Sequence, residues 1–149
     1  RYQPRALRLS AGAELYGVLR LLGRFEEARR DGQGLHLAQV QQREPGLTDE
    51  LLQSMVSSLA EMNIVQRGES GAWLLTRDLR QVRLEELYEG MALRLPTGEL
   101  CLPQRHDDIG RAAQAALDQL REPLRSPLAR SVASYLEDPQ PDAPTRELP

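Results

Sequence analysis

The sequence predicts a mainly α-helical fold with one small β-hairpin, arranged as a winged helix-turn-helix that a C-terminal helical extension follows. Three observations predict this fold class. Apolar residues recur at helical spacing in successive segments from residue 10 to residue 63. The period then changes to that of two short strands around a polar turn, and helical spacing returns after residue 107. Helices followed by a hairpin, in this order, are typical of a winged helix-turn-helix.

The first helix is predicted over Ser10–Arg30. Serine commonly caps a helix N-terminus, and Gly32 and Gly34 favour an end after Arg30. The apolar positions of this segment recur at the spacing that lines one helix face: Leu15, Val18, Leu19, Leu22 and Phe25. The arginines lie mostly off that face, beside two glutamates, which indicates a solvated surface: Arg20, Arg24, Arg29 and Arg30.

Two further helices are predicted before the hairpin. A short one covers Leu35–Arg43 and ends before the Pro-Gly pair at positions 45–46. The next begins after Thr48, which can cap it, and has two acidic residues in its first turn, where the helix dipole favours anions. Its apolar residues keep helical spacing: Leu52, Met55, Val56, Leu59 and Met62. It ends at Asn63, because asparagine tolerates the left-handed conformation common at helix ends.

The hairpin is predicted over residues 64–76. Ile64–Arg67 and Ala72–Thr76 are short strands, and the polar segment between them is a turn. A short helix over Leu84–Tyr88 then presents Leu84, Leu87 and Tyr88. These elements complete a winged helix-turn-helix domain over residues 1–91.

Residues 92–137 are predicted to form a helical extension packed on this domain. After an irregular stretch, Asp107 or Asp108 caps a helix, which Glu122-Pro123 interrupts. Ser126-Pro127 then opens a last helix, whose predicted inward residues are Leu128, Val132, Tyr135 and Leu136. Residues 138–149 contain four prolines and almost no apolar side chains, so we expect a disordered Pro-rich tail.

The charge composition excludes several classes of function. All 19 basic residues are arginine, so the chain has no Schiff-base lysine, no phosphate-loop lysine and no lysine general base. Against them stand 22 acidic residues, which give a net charge of −3. This balance offers no bulk attraction to nucleic acid or to anionic lipid, so any such binding has to be local.

The residues that could carry a metal or a catalytic reaction are few. The chain has one cysteine and two histidines, and the spacing of Cys101 and His106 matches no compact zinc motif. We interpret Asp107 and Asp108 as helix-capping residues rather than metal ligands. A lone cysteine fits a reducing compartment. We therefore predict no catalytic residue, no metal, no cofactor and no small-molecule ligand.

A winged helix-turn-helix raises the question of DNA binding, because its third helix usually enters the major groove. Here that helix carries no arginine and three acidic residues: Asp49, Glu50 and Glu61. Base readout and phosphate neutralisation both rely on arginine or lysine. Nucleic-acid binding is therefore disfavoured.

The candidate contact surface combines the third helix with the hairpin. Gln53 and Ser57 are polar positions on that helix, and four arginines surround the wing: Arg67, Arg77, Arg80 and Arg83. Two interpretations stay open at this point. These side chains either contact a partner or a phosphate, or the arginines pair with neighbouring carboxylates and bind nothing.

Four stretches carry a distinctive pattern: Leu47–Glu50, Asn63–Val65, Gly71–Leu79 and Leu84–Tyr88. Together they resemble the C-terminal cytoplasmic region of the YihY/BrkB family of bacterial inner-membrane proteins, long labelled ribonuclease BN after a tRNA-processing enzyme. The most distinctive part is the string Trp-Leu-Leu-Thr-Arg-Asp-Leu followed by Leu-Glu-Glu-Leu-Tyr. The resemblance covers residues 10–91 well and extends to about residue 137.

This resemblance implies that the chain is part of a larger inner-membrane protein and lies on its cytoplasmic face. Arg1, Arg5 and Arg8 would then follow the last membrane span, where cytoplasmic positive charge is expected. The family is described in terms of envelope integrity or transport. It offers no established catalytic residues to transfer to this sequence.

We therefore expect a non-catalytic winged-helix domain that serves as an interaction or regulatory module. Its expected partner is a protein or the membrane part of the same polypeptide. The alternative is a nucleic-acid-binding winged helix, either a transcription regulator or the RNA-docking part of a tRNA-processing ribonuclease.

Overall fold

The computed structural model describes residues 9, 11–98, 100 and 102–137. Its helices and strands are α1 (Glu14–Arg30), α2 (Leu37–Arg43), α3 (Asp49–Glu61), β1 (Val65–Arg67), β2 (Trp73–Leu75), α4 (Leu84–Gly90), α5 (Asp108–Arg121), α6 (Arg125–Ala129) and α7 (Val132–Glu137). Short 3-10 turns cover Leu79–Gln81 and Glu122–Leu124. The predicted mainly helical fold with a small hairpin is confirmed. The predicted Ser10 cap, the N-terminal arginines, Cys101 and the tail over 138–149 lie outside the described residues.

Helix α1 is the centre of the fold. It contacts α5 on one side and β2 on another. The buried residues of α1 cover most of its circumference: Leu15, Tyr16, Gly17, Val18, Arg20, Leu21, Leu22 and Phe25. The helix begins at Glu14, later than predicted, because Gly12 has φ +90° and a turn precedes the helix. Any side chain at Gly12 would collide with the backbone oxygen of Leu95, 2.7 Å from an ideal Cβ.

Leu35, predicted to begin the second helix, instead pairs with β2. Its N–H donates to the Trp73 carbonyl at 2.9 Å, and the Trp73 N–H donates back at 2.9 Å. This isolated antiparallel bridge places Leu35 beside β2, on the edge that β1 leaves open. Helix α2 consequently begins only at Leu37.

Helix α3 and the hairpin follow the predicted local signals. The Thr48 hydroxyl accepts the Leu51 N–H at 3.1 Å, and Asn63 adopts the left-handed conformation with φ 58°. The strands pair antiparallel with three pairs of partners: Val65 with Leu75, Gln66 with Leu74, and Arg67 with Trp73. In α4, Leu87 is buried and Tyr88 half-buried, whereas Leu84 is more exposed than predicted because it lies at the rim of a groove between α4 and α5.

Helix α5 lies on α1 with Ala113 and Leu117 buried. Of the two aspartates predicted to cap it, Asp107 does so, accepting the Gly110 N–H at 2.7 Å. Gly110 allows the preceding loop to approach closely, since a Cβ there would meet the Gln104 oxygen at 2.5 Å. The division of the chain at residues 91 and 92 stays a prediction.

The end of the extension differs from the prediction. Helix α6 begins at Arg125, one residue before Ser126, and the capping serine is instead Ser131, whose Oγ accepts the Ser134 N–H at 3.0 Å. The side chains predicted to face inward are exposed: Leu128 56%, Val132 76%, Tyr135 39% and Leu136 81%. Both helices are very short, and the extended backbone at Arg130 separates them. Helical spacing across that break therefore defined no common inward face.

A buried ion cluster corrects the predicted position of Arg20. This side chain is 1% exposed rather than solvated, because α1 is covered on nearly every side. Arg20 Nε lies 2.6 Å from Glu44 Oε2, and Nη2 lies 2.6 Å from Asp107 Oδ2. Half-buried Arg24 adds a bond to Glu44 at 2.8 Å, whereas Arg29 and Arg30 are exposed as predicted. The cluster joins α1, the end of α2 and the start of α5.

The cluster fixes the charges of Arg20 and Asp107. Burial by itself lowers the pKa of Arg20, but the bonds to Asp107 and Glu44 outweigh burial and raise it. Arg20 in turn is the main reason that the pKa of Asp107 falls to about 2. The guanidinium and this carboxylate are therefore both charged at neutral pH.

Candidate functional site

The four arginines predicted around the hairpin have different surroundings. Arg77 follows β2 and is held by Glu86 of α4, with Nη1 donating to Oε1 at 3.0 Å and Nη2 to Oε2 at 3.3 Å. Its Nη2 also donates to the Gln81 carbonyl. Arg77 therefore joins the end of the hairpin to α4, and its guanidinium is already partly occupied.

Arg83 lies immediately before α4 and is exposed, 3.4 Å from Glu85. Its backbone N–H donates to the Glu86 carboxylate at 2.9 Å. This bond, followed by the bonds from Arg77, lowers the pKa of Glu86. Arg83 thus serves the start of α4 and is separate from the concave surfaces that the other three arginines line.

Two adjacent concave surfaces lie beside the hairpin and share Thr76 and Arg77. The first, of about 650 Å³, lies between the end of α1 and the turn after β2, and is lined by Glu26, Arg29, Arg30, Leu75, Thr76, Arg77, Asp78, Leu79 and Arg80. The second, of about 630 Å³, lies between the end of α3 and the hairpin, and is lined by Ala60, Asn63, Val65, Gln66, Arg67, Trp73, Thr76 and Arg77. We call these residues together the hairpin surface.

The hairpin surface includes two arginines that sequence reasoning did not connect with it. Arg29 and Arg30 end α1 and line the first concave surface with Arg77 and Arg80. Their helical position indicated only a solvated face. No local signal links them to β2, because the contact depends on how α1 packs against the hairpin.

Carboxylates offset part of this positive charge. Glu26 Oε1 lies 2.6 Å from Arg29 Nη2 and 3.6 Å from Arg30 Nε, and the bond from Arg29 lowers the pKa of Glu26. Asp78 accepts the backbone N–H of Arg80 at 2.9 Å and begins the 3-10 turn. Even with Glu86 counted against Arg77, arginines outnumber carboxylates around the first concave surface.

The predicted α3 residues lie on a face that leads into the hairpin surface. Gln53 and Ser57 are exposed, and the Gln53 amide donates to Asp49 at 3.2 Å. Neither lines the concave surfaces, but Ala60, three residues after Ser57 and hence on the same helix face, does. The charged residues that this helix exposes are all acidic: Asp49, Glu50 and Glu61.

The two aspartates considered for metal binding serve the fold. Within the described part of the chain, no group of three or more His, Cys, Asp or Glu side chains is placed to hold a metal ion. Asp107 caps α5 and pairs with Arg20. Asp108 pairs with Arg111 one turn later on the same helix.

Comparison with known proteins gives relatives but no structural template. No protein-family model matches the chain, and no solved structure matches it significantly. A UPF0761 membrane protein of Stenotrophomonas maltophilia is 53% identical over 138 residues, which cover 93% of this chain and 32% of the relative. One from Xanthomonas oryzae is 53% identical over 132 residues, which cover 89% of this chain and 31% of the relative. One from Xanthomonas campestris is 52% identical over 132 residues, with the same coverage.

The chain spans about a third of the length of these relatives. None of the helices between residues 9 and 137 that the structure describes is long and apolar enough to cross a membrane. The relatives agree with the resemblance drawn from the hairpin and α4 motifs. The homologues of this chain are UPF0761 membrane proteins, of the YihY/BrkB family, and the chain matches about a third of such a protein.

Proposed function

We propose that this chain is a non-catalytic winged helix-turn-helix module on the cytoplasmic face of a bacterial inner-membrane protein of the YihY/BrkB type. In this proposal it binds a protein through the hairpin surface and the exposed face of α3. The partner is a separate protein or the membrane part of the same polypeptide.

The order of elements supports the winged-helix assignment. Helix α1 is followed by the bridging residue Leu35, then by α2, α3 and the β1–β2 hairpin. The bridge gives β2 a neighbour on each edge, as expected of a small wing sheet with a short first strand. The packing of α3 through Leu52, Val56 and Leu59 leaves its polar face open to a partner.

The charge of α3 is the observation that carries the proposal. Its exposed charged residues are all acidic, and the nearby Arg77 is engaged by Glu86. A phosphate backbone would be repelled by this helix and would have to displace existing ion pairs. A protein surface can instead offer both signs of charge and hydrogen-bond groups to Gln53 and Ser57.

A titration with nucleic acid tests the partner class. Fluorescence polarisation of labelled duplex DNA and of tRNA is measured at low and at moderate salt, for the unmodified chain and for Arg67→Ala/Arg77→Ala. We expect weak binding at low salt, equal for both proteins and lost at moderate salt. Tight binding that the two substitutions abolish would overturn the proposal.

Hydrogen exchange tests the contact surface in the larger protein. Amide exchange is compared between this chain and the same polypeptide joined to the membrane part found in its relatives. If the membrane part is the partner, residues 53–60 and 65–77 exchange more slowly in the longer protein, whereas the exposed start of α2 does not change. Equal exchange throughout would exclude the membrane part and leave only a separate protein.

The alternative, nucleic-acid binding, is favoured by one observation. The hairpin surface gathers five arginines, namely three of the four predicted around the hairpin and two more from the end of α1: Arg67, Arg77, Arg80, Arg29 and Arg30. This alternative predicts an affinity that falls steeply with salt, with a slope of about −0.9 per phosphate contacted on duplex DNA. The polarisation titration distinguishes the two functions directly.

The non-catalytic part of the proposal has its own test. The chain is incubated with tRNA and with single-stranded RNA, with and without a chelator, and the products are separated on a denaturing gel. We expect no degradation above that of a buffer control. Chelator-sensitive turnover that copurifies with the chain would contradict this expectation.

A further inference from the structure

The positive charge of the hairpin surface is only partly neutralised. Its five arginines face three carboxylates when the partner of Arg77 is included: Glu26, Asp78 and Glu86. The chain as a whole has the opposite balance, with a net charge of −3. The hairpin surface is therefore a local region of excess positive charge on an acidic protein.

Three of the five arginines have guanidinium donors left for a ligand. Arg30 is 72% exposed and lies 3.6 Å from Glu26, a carboxylate that is bonded more closely to Arg29. The Arg80 side chain forms no hydrogen bond or ion pair with any other residue that the structure describes. Arg67 donates to a carbonyl of the hairpin turn at 3.4 Å. These three side chains are therefore available to a partner.

The arginines of the first concave surface act on the same place. The pKa of Glu26 is lowered chiefly by the bond from Arg29, and the charges of Arg30 and Arg80 lower it further. Two of these arginines end α1, whereas Arg80 belongs to the turn after β2. A carboxylate that enters this concave surface from a partner meets the same charges and is stabilised by them.

The first concave surface also offers apolar contacts. Leu75 and Leu79 line it beside the arginines, and both side chains are half-buried. Its volume of about 650 Å³ lies within the range of pockets that bind small ligands, roughly 300–1,000 Å³. The surface therefore has room for a short segment of a partner that combines carboxylates with an apolar side chain.

We infer that the hairpin surface binds a short acidic segment of a protein, in which carboxylates flank an apolar side chain. The carboxylates pair with Arg30 and Arg80, and the apolar side chain packs on Leu75 and Leu79. A guanidinium suits this role, because its planar donors match the two oxygens of a carboxylate. The inference rests on the proposed function, in which the hairpin surface binds a protein, and adds the chemistry of that partner.

The neighbouring helix α3 favours a peptide over a nucleic acid. Ala60 lines the second concave surface, and the next residue, Glu61, is exposed, as are the two acidic residues at the start of α3. A phosphate backbone that continues beyond the arginines meets this acidic helix and is repelled. A short peptide segment can end within the hairpin surface. The two leucines add a contact that a phosphate cannot use.

An NMR titration with a synthetic peptide tests the inference. The probe is the peptide Gly-Asp-Glu-Leu-Glu-Asp-Gly, added at low salt to the isotope-labelled chain. The control peptide Gly-Asn-Gln-Leu-Gln-Asn-Gly replaces each carboxylate by its amide. We expect the acidic peptide to shift the amide signals of residues 26–30 and 75–80, with an affinity that falls as salt is added. The amide peptide should shift none of them.

Two variants of the chain should change the affinity in opposite directions. Arg30→Ala/Arg80→Ala should lower it roughly threefold for each exposed ion pair lost, and about tenfold in all. Glu26→Gln should raise it about threefold, because the substitution removes a carboxylate that competes for Arg29 and Arg30. Circular dichroism should show that both variants keep their helical content.

The matched control is Arg111→Ala/Arg125→Ala, which removes the same charge at exposed ion pairs outside the hairpin surface. It should lower the affinity far less than Arg30→Ala/Arg80→Ala. An equal loss in the two double variants, or no signal shift with the acidic peptide, would overturn the inference. Binding of tRNA that Arg30→Ala/Arg80→Ala abolishes would overturn it as well and assign the surface to a phosphate backbone.

Failure of this inference can be distinguished from failure of the proposed function. If residues 65–77 exchange more slowly in the longer protein but the acidic peptide shifts no signal, the hairpin surface binds a protein of different chemistry. The acidic segment is then rejected, and protein binding at the hairpin surface is kept.

Discussion

Arg20 of α1 donates two hydrogen bonds to Glu44 at the end of α2, at 2.6 and 2.9 Å, and both side chains are 1% exposed. The same guanidinium bonds to Asp107, which begins α5. One buried cation thus holds together segments from three parts of the chain. In a low-dielectric interior, removing one partner of such a pair destabilises the fold, because the charge of the other partner stays buried without it.

Glu44→Ala should be strongly destabilising. The substitution removes the buried carboxylate of the cluster and leaves Arg20 with Asp107 alone, and breaking a buried pair in this way costs roughly 3–5 kcal/mol. Urea unfolding followed by circular dichroism measures the change. Glu26→Ala, which removes a carboxylate from more exposed pairs, is the control and should cost about 1 kcal/mol or less. A loss below that of the control would contradict the role of the cluster.

Removing both members should cost less than removing one. Arg20→Met/Glu44→Leu fills the same space with apolar groups and leaves no unpaired buried charge, since Asp107 keeps Arg24 as a neighbour. We therefore expect the double variant to be more stable than Glu44→Ala in the same urea titration. If it is less stable, the cluster contributes more by its hydrogen bonds than desolvation costs.

Asp107 should give the chain an acid-sensitive stability. Its folded pKa is about 2, below the ordinary 3.8, chiefly because of Arg20. A carboxylate with a lowered folded pKa stabilises the fold above its unfolded pKa, and that stability is lost as the pH falls through the interval from 3.8 to about 2. Asp107→Asn keeps the helix cap but removes the charge. The free energy of unfolding of this variant should depend less on pH over the same interval.

The left-handed turn at Asn63 predicts a ranking of substitutions. With φ 58°, a β-branched residue is disfavoured there and glycine is tolerated. Asn63→Val should lower the stability by about 1–2 kcal/mol, whereas Asn63→Gly should change it little. Thermal unfolding of the two variants compares them directly. An equal loss would mean that the side chain, rather than the backbone conformation, is responsible.

Substitutions of Arg77 and Arg80 should distinguish an effect on stability from an effect on partner binding. Arg77 joins the hairpin to α4 through Glu86, so Arg77→Ala should lower stability by about 0.5–1 kcal/mol. The Arg80 side chain lines the same concave surface, and its described hydrogen bond is made by the backbone. Arg80→Ala should therefore leave the urea midpoint unchanged. Under the proposed function it should still weaken the contact seen by hydrogen exchange.

Much of the fold could be predicted because its signals are local. The Thr48 cap, the Asn63 turn, the Asp107 cap and the hairpin each depend on hydrogen bonds or backbone conformations within a few residues. The prediction that the second helix begins at Leu35 was wrong because the position of Leu35 depends on a distant partner. Its backbone bonds to Trp73, and that distant partner outweighed its place next to a helix.

The candidate site was predicted only in part. Three of the four predicted arginines, Arg67, Arg77 and Arg80, line the concave surfaces, and Arg83 does not. Arg29 and Arg30 join the same surface only through the packing of α1 on β2. The exposed side chains of α6 and α7 were also unpredictable from spacing, because the extended backbone at Arg130 interrupts the helical period.

By itself, the sequence determined the element types, the caps of α3 and α5, the absence of lysine chemistry and the acidic character of α3. Tertiary structure alone decided which charges are buried and which meet. Arg20 shows why. Its position in α1 determines the direction of its side chain around the helix axis, but not which residues of the folded chain lie in that direction. Glu44 and Asp107 stand 24 and 87 residues further along the chain, and only folding brings them to the same guanidinium.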